Sequence, residues 1–191
     1  MKIAYLAWGS LLWNDKKLKI INGWEKTNIK LPLNFSRISD KGKGRLTLVI
    51  DPHTGFLNPI YYGETKLNDL NKAINKLKER EKTTINFIGY INIKDGNFRS
   101  NLLSKNELNK IKSFGKNNKL DALIWTDLPP NFKEITGKKF SNEEALKYID
   151  EQRSNPKSYN KILEYIFLSK IYGKINTNLS KIVINKLMCN L

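Results

Sequence analysis

The order of the apolar segments along this chain constrains its fold more than any other feature. Segments with the short, apolar character of β-strands fill most of the first half, interspersed with helical patterns, and the pattern from residue 141 onward is helical. This order is typical of an α+β fold. We therefore expect a mixed β-sheet or small barrel with flanking helices, and a helical C-terminal part over about residues 140–191.

Composition and spacing predict individual elements. Strands are predicted over residues 2–7, 31–39, 45–51, 59–64, 84–93 and 121–125, and the Gly-rich sequence DKGKG joins the second of these to the third. Helices are predicted over residues 67–82, 104–115, 141–153 and 159–172. The sequences SKNE and SNEE are capping boxes that begin the second and third helices, and Gly115 is expected to end the second.

The length and the cysteine content limit the class of protein. A chain of 191 residues suffices for one well-buried core, so we expect a single domain over residues 1–191. No apolar run approaches the ~20 residues of a membrane span, and the first residues lack the apolar stretch of a signal peptide. The single cysteine, Cys189, cannot form an internal disulfide. These features predict a cytoplasmic protein with no membrane partner.

The net charge of +16 raises the alternative of a nucleic-acid-associated protein. The basic residues are mostly lysines, with only five arginines, and they are scattered along the chain. Arginine is the side chain that makes bidentate contacts with phosphates and bases. The pattern therefore favours a solvated lysine-rich surface over a nucleic-acid interface.

Several kinds of catalytic site are excluded by the residues present. His53 is the only histidine, which excludes histidine-rich metal sites, and it lies in the turn-like sequence DPHTG. Ser10 lacks the second glycine of a G-x-S-x-G nucleophile elbow. The chain has no phosphate-binding lysine loop and no G-x-G-x-x-G sequence. We expect no metal and no cofactor.

One carboxylate falls on the apolar face of the helix predicted over residues 67–82. Counting about 100° per residue from Leu67, Glu81 falls near 320°, between Leu70 at about 300° and Ile74 at about 340°. Glu79 falls at about 120°, on the opposite side of the helix, and is expected to be a surface charge.

Burial of Glu81 would raise the pKa of its carboxyl toward the range that a general base or acid needs near neutral pH. Two alternatives remain at this point. The helix can end before residue 81, or an arginine, Arg80 or Arg37, can pair with Glu81 in a buried ion pair.

The sequence WGSLL follows the first predicted strand. A chain that leaves a strand through Gly9 and Ser10 can direct successive backbone N–H groups at a carboxylate or an oxyanion. Gly9 would let a ligand approach the backbone, because glycine has no Cβ. A simple turn at the end of a strand is the alternative.

These segments carry a resemblance. AWGSLLW, FSRIS, GRLTLVID, LKEREK and IGY occur in this order within residues 5–90 and resemble the γ-glutamylcyclotransferase-like family, most closely its ChaC-type, glutathione-degrading branch. Family members have a Tyr-Gly-Ser loop after the first strand and a glutamate later in the chain. The resemblance implies substrate-loop positions at Trp8, Gly9, Ser10 and Leu11 and a catalytic glutamate at Glu81. Trp8 stands where the family usually has tyrosine.

The resemblance also implies a reaction. The α-amine of a γ-glutamyl group attacks its own γ-carbonyl, closes 5-oxoproline and expels a peptide, amino acid or amine, with glutathione as one candidate substrate. An α-amine with a pKa of roughly 8 is mostly protonated at neutral pH, so Glu81 would remove that proton. The α-carboxylate of the substrate needs a cation, for which Arg37 is the candidate, with an exposed strand arginine as the alternative. Because of Trp8, a non-catalytic binder of small metabolites with the same fold is a second hypothesis.

Overall fold

The computed structural model describes residues 1–15, 18–40 and 44–188. Its strands are β1 (Ile3–Ala7), β2 (Glu25–Ser39), β3 (Arg45–Ile50), β4 (Phe56–Glu64), β5 (Ile88–Asn92), β6 (Phe98–Arg99) and β7 (Ala122–Thr126). Its helices are α1 (Leu70–Glu81), α2 (Lys105–Asn117), α3 (Phe132–Thr136), α4 (Asn142–Glu151), α5 (Pro156–Gly173) and α6 (Asn178–Met188). None of the described helices is long and apolar enough to cross a membrane.

The strands form one seven-stranded sheet in the order β3-β2-β4-β1-β7-β5-β6. Strands β1 and β7 are parallel, and the other neighbouring strands are antiparallel. The expected α+β architecture with a mixed sheet is therefore confirmed. In the described ranges the order ends at β3 and β6, so the sheet is open rather than closed into a barrel.

Strand β1 lies at the centre of the sheet and is buried on both faces. Its residues alternate between two apolar clusters, with Ala4 and Leu6 in one and Tyr5 and Ala7 in the other. Residues of α2, α3, α4, α5 and α6 cover the first face, whereas α1 covers the second. Alternation follows from the two-residue period of a strand, and burial of each large apolar side chain contributes about 1.5–3 kcal/mol.

Helix α1 begins three residues later than its apolar pattern predicts. The side chain of Asp69 accepts a hydrogen bond of 2.7 Å from the Lys72 N–H, so Asp69 is the N-cap and the helix starts at Leu70. Leu67 lies before the helix but still packs against its apolar cluster. The helix ends at Glu81, because Lys82 adopts a left-handed conformation with φ of 51°.

The prediction that Gly115 ends the second helix is wrong, since α2 continues to Asn117. A Cβ on Gly115 would lie 2.9 Å from the side chain of Ile93 and 3.0 Å from that of Leu123. The glycine therefore allows α2 to pack closely on the sheet, and the helix passes through it. The capping box of Ser104 at the start of α2 is confirmed.

Other boundaries also differ from the sequence prediction. Residues Ile85–Phe87 form a 3-10 turn, so the strand predicted over 84–93 begins only at Ile88. Strand β2 begins at Glu25, earlier than expected, and the sequence pattern missed β6 and α3. Helix α6 lies within the C-terminal part expected to be helical. Residues 41–43 of the DKGKG turn and Cys189 lie outside the described residues.

Candidate active site

A cavity of about 930 Å³ lies beyond the carboxyl ends of the parallel strands β1 and β7. Its walls come from the turn after β1, the paired ends of β2 and β3, the C-terminal end of α1, and one face of α5. The four walls are distant in sequence and meet only through the sheet order. Clefts at the ends of parallel strands are common places for ligands.

The turn after β1 is a short 3-10 segment, Gly9–Leu12, and its residues Ser10 and Leu11 line the cavity, as does the preceding Trp8. The first N–H groups of such a turn have no partner inside the turn. Trp8 is only 6% exposed, because most of its side chain packs in the larger apolar cluster.

Gly9 does not serve the role that its missing Cβ suggests. It is buried, it has φ of +58°, and a Cβ there would lie 2.5 Å from the hydroxyl oxygen of Tyr165. The space beside the Gly9 backbone is therefore taken by Tyr165 of α5, not open to a ligand. The missing Cβ of Gly9 therefore makes room for Tyr165, whereas Ser10 and Leu11 line the cavity.

Glu81 lines the same cavity as Ser10 and Leu11. Its side chain is 16% exposed, and it is the last residue of α1. Burial raises the pKa of the Glu81 carboxyl, and the positive charges of Arg80 and Arg45 partly oppose this rise. Glu79, by contrast, is 51% exposed and pairs with Lys76, so its predicted surface position is confirmed.

Arg80 joins the Glu81 carboxylate to the turn after β1. Its Nη1 donates to Glu81 Oε1 at 2.8 Å, and its Nη2 donates to Ser10 Oγ at 3.2 Å and to the Asn14 carbonyl oxygen at 2.8 Å. The buried ion pair considered for Glu81 therefore forms, with Arg80 and not with Arg37. It coexists with the position of Glu81 on the cavity wall.

Arg37 and Arg45 reach the cavity from neighbouring strands. Arg37 of β2 lies opposite Thr47, and Ser39 lies opposite Arg45 of β3, so all four side chains share one face of this strand pair. All four also line the cavity. Arg37 is half-buried, not exposed, and its Nη1 donates to the carbonyl oxygen of Pro129 at 2.6 Å.

Arg45 and Tyr165 are among the residues of the cavity wall that sequence reasoning missed. The Arg45 guanidinium lies over the Tyr165 ring, 4.2 Å from its centroid. Tyr165 is buried, and burial raises the pKa of its phenol, an effect that the charge of Arg45 and the backbone of Leu48 partly oppose. A signal for Arg45 existed, because Arg37 and Arg45 flank one Gly-rich turn at an even spacing. No local pattern distinguishes Tyr165 from the other aromatic residues of α5.

His53 lies apart from the cavity. It is exposed in the turn after β3, where its backbone N–H donates to Asp51 Oδ1 at 3.0 Å. Within the parts of the chain that the structure describes, no three His, Cys, Asp or Glu side chains form a group suited to a metal ion. Among the described residues that line the cavity, the buried carboxylate is that of Glu81, and guanidinium groups come from three arginines. The other charged side chains of the lining are exposed, namely those of Asp40, Lys82, Lys161 and Glu164.

The chain matches no family model, no curated protein and no solved structure with which it was compared. A function must therefore be inferred from the residues and their geometry.

Proposed function

We propose that this protein is a γ-glutamylcyclotransferase-like enzyme that releases 5-oxoproline from a γ-glutamyl peptide or amine. The observation that carries the proposal is the position of Glu81, a buried carboxylate with a raised pKa on the wall of a cavity that it shares with Ser10 and Leu11. The ordered resemblance over residues 5–90 supports the same activity, and it selects the same glutamate.

In the proposed reaction Glu81 first accepts a proton from the α-ammonium group of the substrate. The free amine attacks the γ-carbonyl carbon, and a new C–N bond closes the five-membered ring. The protonated Glu81 then gives its proton to the leaving nitrogen as the original C–N bond breaks. The carboxylate that this regenerates takes the second proton from the ring nitrogen and passes it to the released amine, so 5-oxoproline and an ammonium group leave and Glu81 is ionised again. Proton transfer of this kind contributes typically about 10²–10⁴-fold to the rate.

The reaction needs the substrate folded into its ring-closing conformation. Well-oriented intramolecular attack reaches effective molarities of about 10⁵–10⁸ M, so binding in a closed conformation supplies much of the acceleration. In the proposal, the N–H groups at Ser10 and Leu11 stabilise the oxyanion that develops on the γ-carbonyl oxygen.

Arg80 acts as a positioning residue in this proposal. It holds Glu81 Oε1 and Ser10 Oγ with one guanidinium group, and so fixes the distance between the base and the turn. Its charge also opposes the effect of burial on the Glu81 pKa. A base with a pKa raised only in part is suited to accept and return a proton near neutral pH.

The proposal is tested by incubating the purified protein with glutathione, γ-glutamyl amino acids and γ-glutamyl amines, and measuring 5-oxoproline by mass spectrometry. We expect release from at least one compound, and a fall of about 10²–10⁴-fold in kcat for Glu81→Gln. Glu79→Gln is the matched control, since Glu79 lies two residues earlier on the exposed side of the same helix, and it should retain full activity. Absence of 5-oxoproline across the panel, or an active Glu81→Gln enzyme, would contradict the proposal.

A non-catalytic metabolite binder is the second candidate. The ion pair between Arg80 and Glu81 favours it, because a carboxylate engaged by a guanidinium is a weaker base. A binder would gain thermal stability from 5-oxoproline or from a γ-glutamyl compound while leaving the compound unchanged. Measurement of the melting temperature beside the 5-oxoproline assay separates the two candidates.

A further inference from the structure

Arg45 is a half-buried cation that lines the cavity from β3. None of the ion pairs between described residues includes it. Its Nε is buried and has no hydrogen-bond acceptor among the described residues, while its guanidinium rests on the Tyr165 ring. A buried donor without an acceptor is costly, and stacking on an aromatic ring fixes the plane of a guanidinium. The arrangement is that of a preorganised site for an anion.

The other arginines of the cavity are engaged within the protein. Arg80 donates to Glu81, Ser10 and Asn14, and Arg37 donates to the Pro129 carbonyl. Of these three guanidinium groups, that of Arg45 is the one with a buried donor, Nε, that lacks an acceptor among the described residues.

Arg45 also shares the cavity with its buried carboxylate, that of Glu81. Its positive charge lowers the pKa of Glu81, whereas the charges that act on Arg37 are those of Asp40 and Glu134. Arg45 and Glu81 therefore place opposite charges in one cavity, Arg45 from β3 and Glu81 from the end of α1. An α-amino acid carries an ammonium and a carboxylate on the same carbon atom, and so matches such a pair.

We propose that Arg45 binds the α-carboxylate of an α-amino-acid head group whose α-amino group faces Glu81. This assignment rests on the proposed function for the identity of the γ-glutamyl substrate, and it replaces Arg37 as the cation for the α-carboxylate. The planar guanidinium of Arg45 supplies the paired N–H donors that a carboxylate accepts.

Calorimetric titration with ligands that lack the scissile amide tests the assignment. The probes are L-glutamate and L-isoglutamine, in which the α-carboxylate is replaced by an amide. We expect the wild-type protein to bind L-glutamate about 10- to 100-fold more tightly than L-isoglutamine, the range for charge-assisted hydrogen bonds. Arg45→Met should remove this preference by weakening the binding of L-glutamate. Arg45→Lys should restore part of the preference, because lysine keeps the positive charge but lacks the planar pair of N–H donors of a guanidinium.

Arg99→Met is the matched control, because Arg99 also stacks on a tyrosine, 5.2 Å from the Tyr90 ring centroid, but does not line the cavity. It should leave both affinities unchanged. A preference for L-glutamate that survives Arg45→Met, or a wild-type protein that binds neither probe, overturns the assignment. Inorganic phosphate that binds as tightly as L-glutamate through Arg45 also overturns it, since Arg45 would then hold any anion.

Failure of this inference is distinguishable from failure of the proposed function. If Arg45 controls the binding of L-glutamate but no compound yields 5-oxoproline, the assignment of Arg45 is supported and the proposed reaction is contradicted. If 5-oxoproline is released and Arg45→Met leaves KM unchanged, the proposed reaction is supported and the assignment of Arg45 is contradicted.

Discussion

Two buried carboxylates near the carboxyl ends of the parallel strands have different surroundings. Asp127 follows β7 and is fully buried, whereas Glu81 ends α1 beside the turn after β1 and is 16% exposed. Burial raises the pKa of both groups. A raised pKa alone therefore does not distinguish a functional carboxylate from a structural one.

The hydrogen bonds make the distinction. Asp127 accepts from the Asn101 backbone N–H, from the Ser100 hydroxyl at 3.4 Å and from Trp125 Nε1–H at 3.4 Å, so it fastens the segment after β6 to the end of β7. Within the described residues, the hydrogen bond found for the Glu81 side chain comes from Arg80. A carboxylate enclosed by donors stabilises a fold, whereas one left facing a cavity is available to a ligand.

The largest expected effect on stability lies on the cavity side, at Gly9. Gly9→Ala should lower the free energy of unfolding by about 2–4 kcal/mol, because alanine disfavours a left-handed backbone and its Cβ meets the Tyr165 hydroxyl. Denaturant unfolding measures the change. Gly23→Ala is the control: Gly23 has φ of +80° with nothing within 4 Å of its Cβ position, and should cost only about 1–2 kcal/mol. Adding Tyr165→Phe to Gly9→Ala should recover part of the lost free energy of unfolding. If Gly9→Ala and Gly23→Ala lower the free energy of unfolding equally, the contact with Tyr165 does not contribute to the effect.

The next effect concerns the enclosed carboxylate. Asp127→Ala should lower the free energy of unfolding by about 2 kcal/mol, because it leaves buried donors such as Trp125 Nε1–H without an acceptor. Asp95→Ala is the control, since the exposed Asp95 also accepts from a backbone N–H, that of Asn97, and should cost less than about 0.5 kcal/mol. If both variants cost the same in denaturant unfolding, the enclosure of Asp127 does not stabilise the fold.

The smallest expected effect is the pH dependence of stability at Glu81. The folded-state pKa of Glu81 is raised, so its contribution to stability is full below the unfolded pKa of about 4.3 and is lost as pH rises through the folded pKa. Glutamine does not titrate. The melting temperature of Glu81→Gln minus that of the wild type should therefore increase from pH 4 to pH 8. A difference that decreases over this range would show that the Arg80 ion pair outweighs burial.

Most of the fold was predictable, because local patterns reflect local physics. The capping residue Ser104, the strand pair around DKGKG and the apolar face of α1 each depend on neighbouring residues. Predictions failed where tertiary contacts decide, as at Gly115, whose missing Cβ serves packing against Ile93 and does not end a helix. The predicted start of α1 was wrong for a local reason. The side chain of Asp69 caps the helix, so the helix begins after it even though Leu67 fits the apolar pattern.

Some features of the candidate site were likewise predictable from local sequence, and others were not. Helical periodicity alone assigned Glu81 to the apolar face and Glu79 to the surface, because both positions follow from 3.6 residues per turn. Only the tertiary structure decided that Arg80 bridges Glu81 to Ser10, and that Tyr165 fills the space beside Gly9. These contacts join residues about 70 and about 160 positions apart, which no periodicity relates. The sheet order and the packing of α5 bring them together.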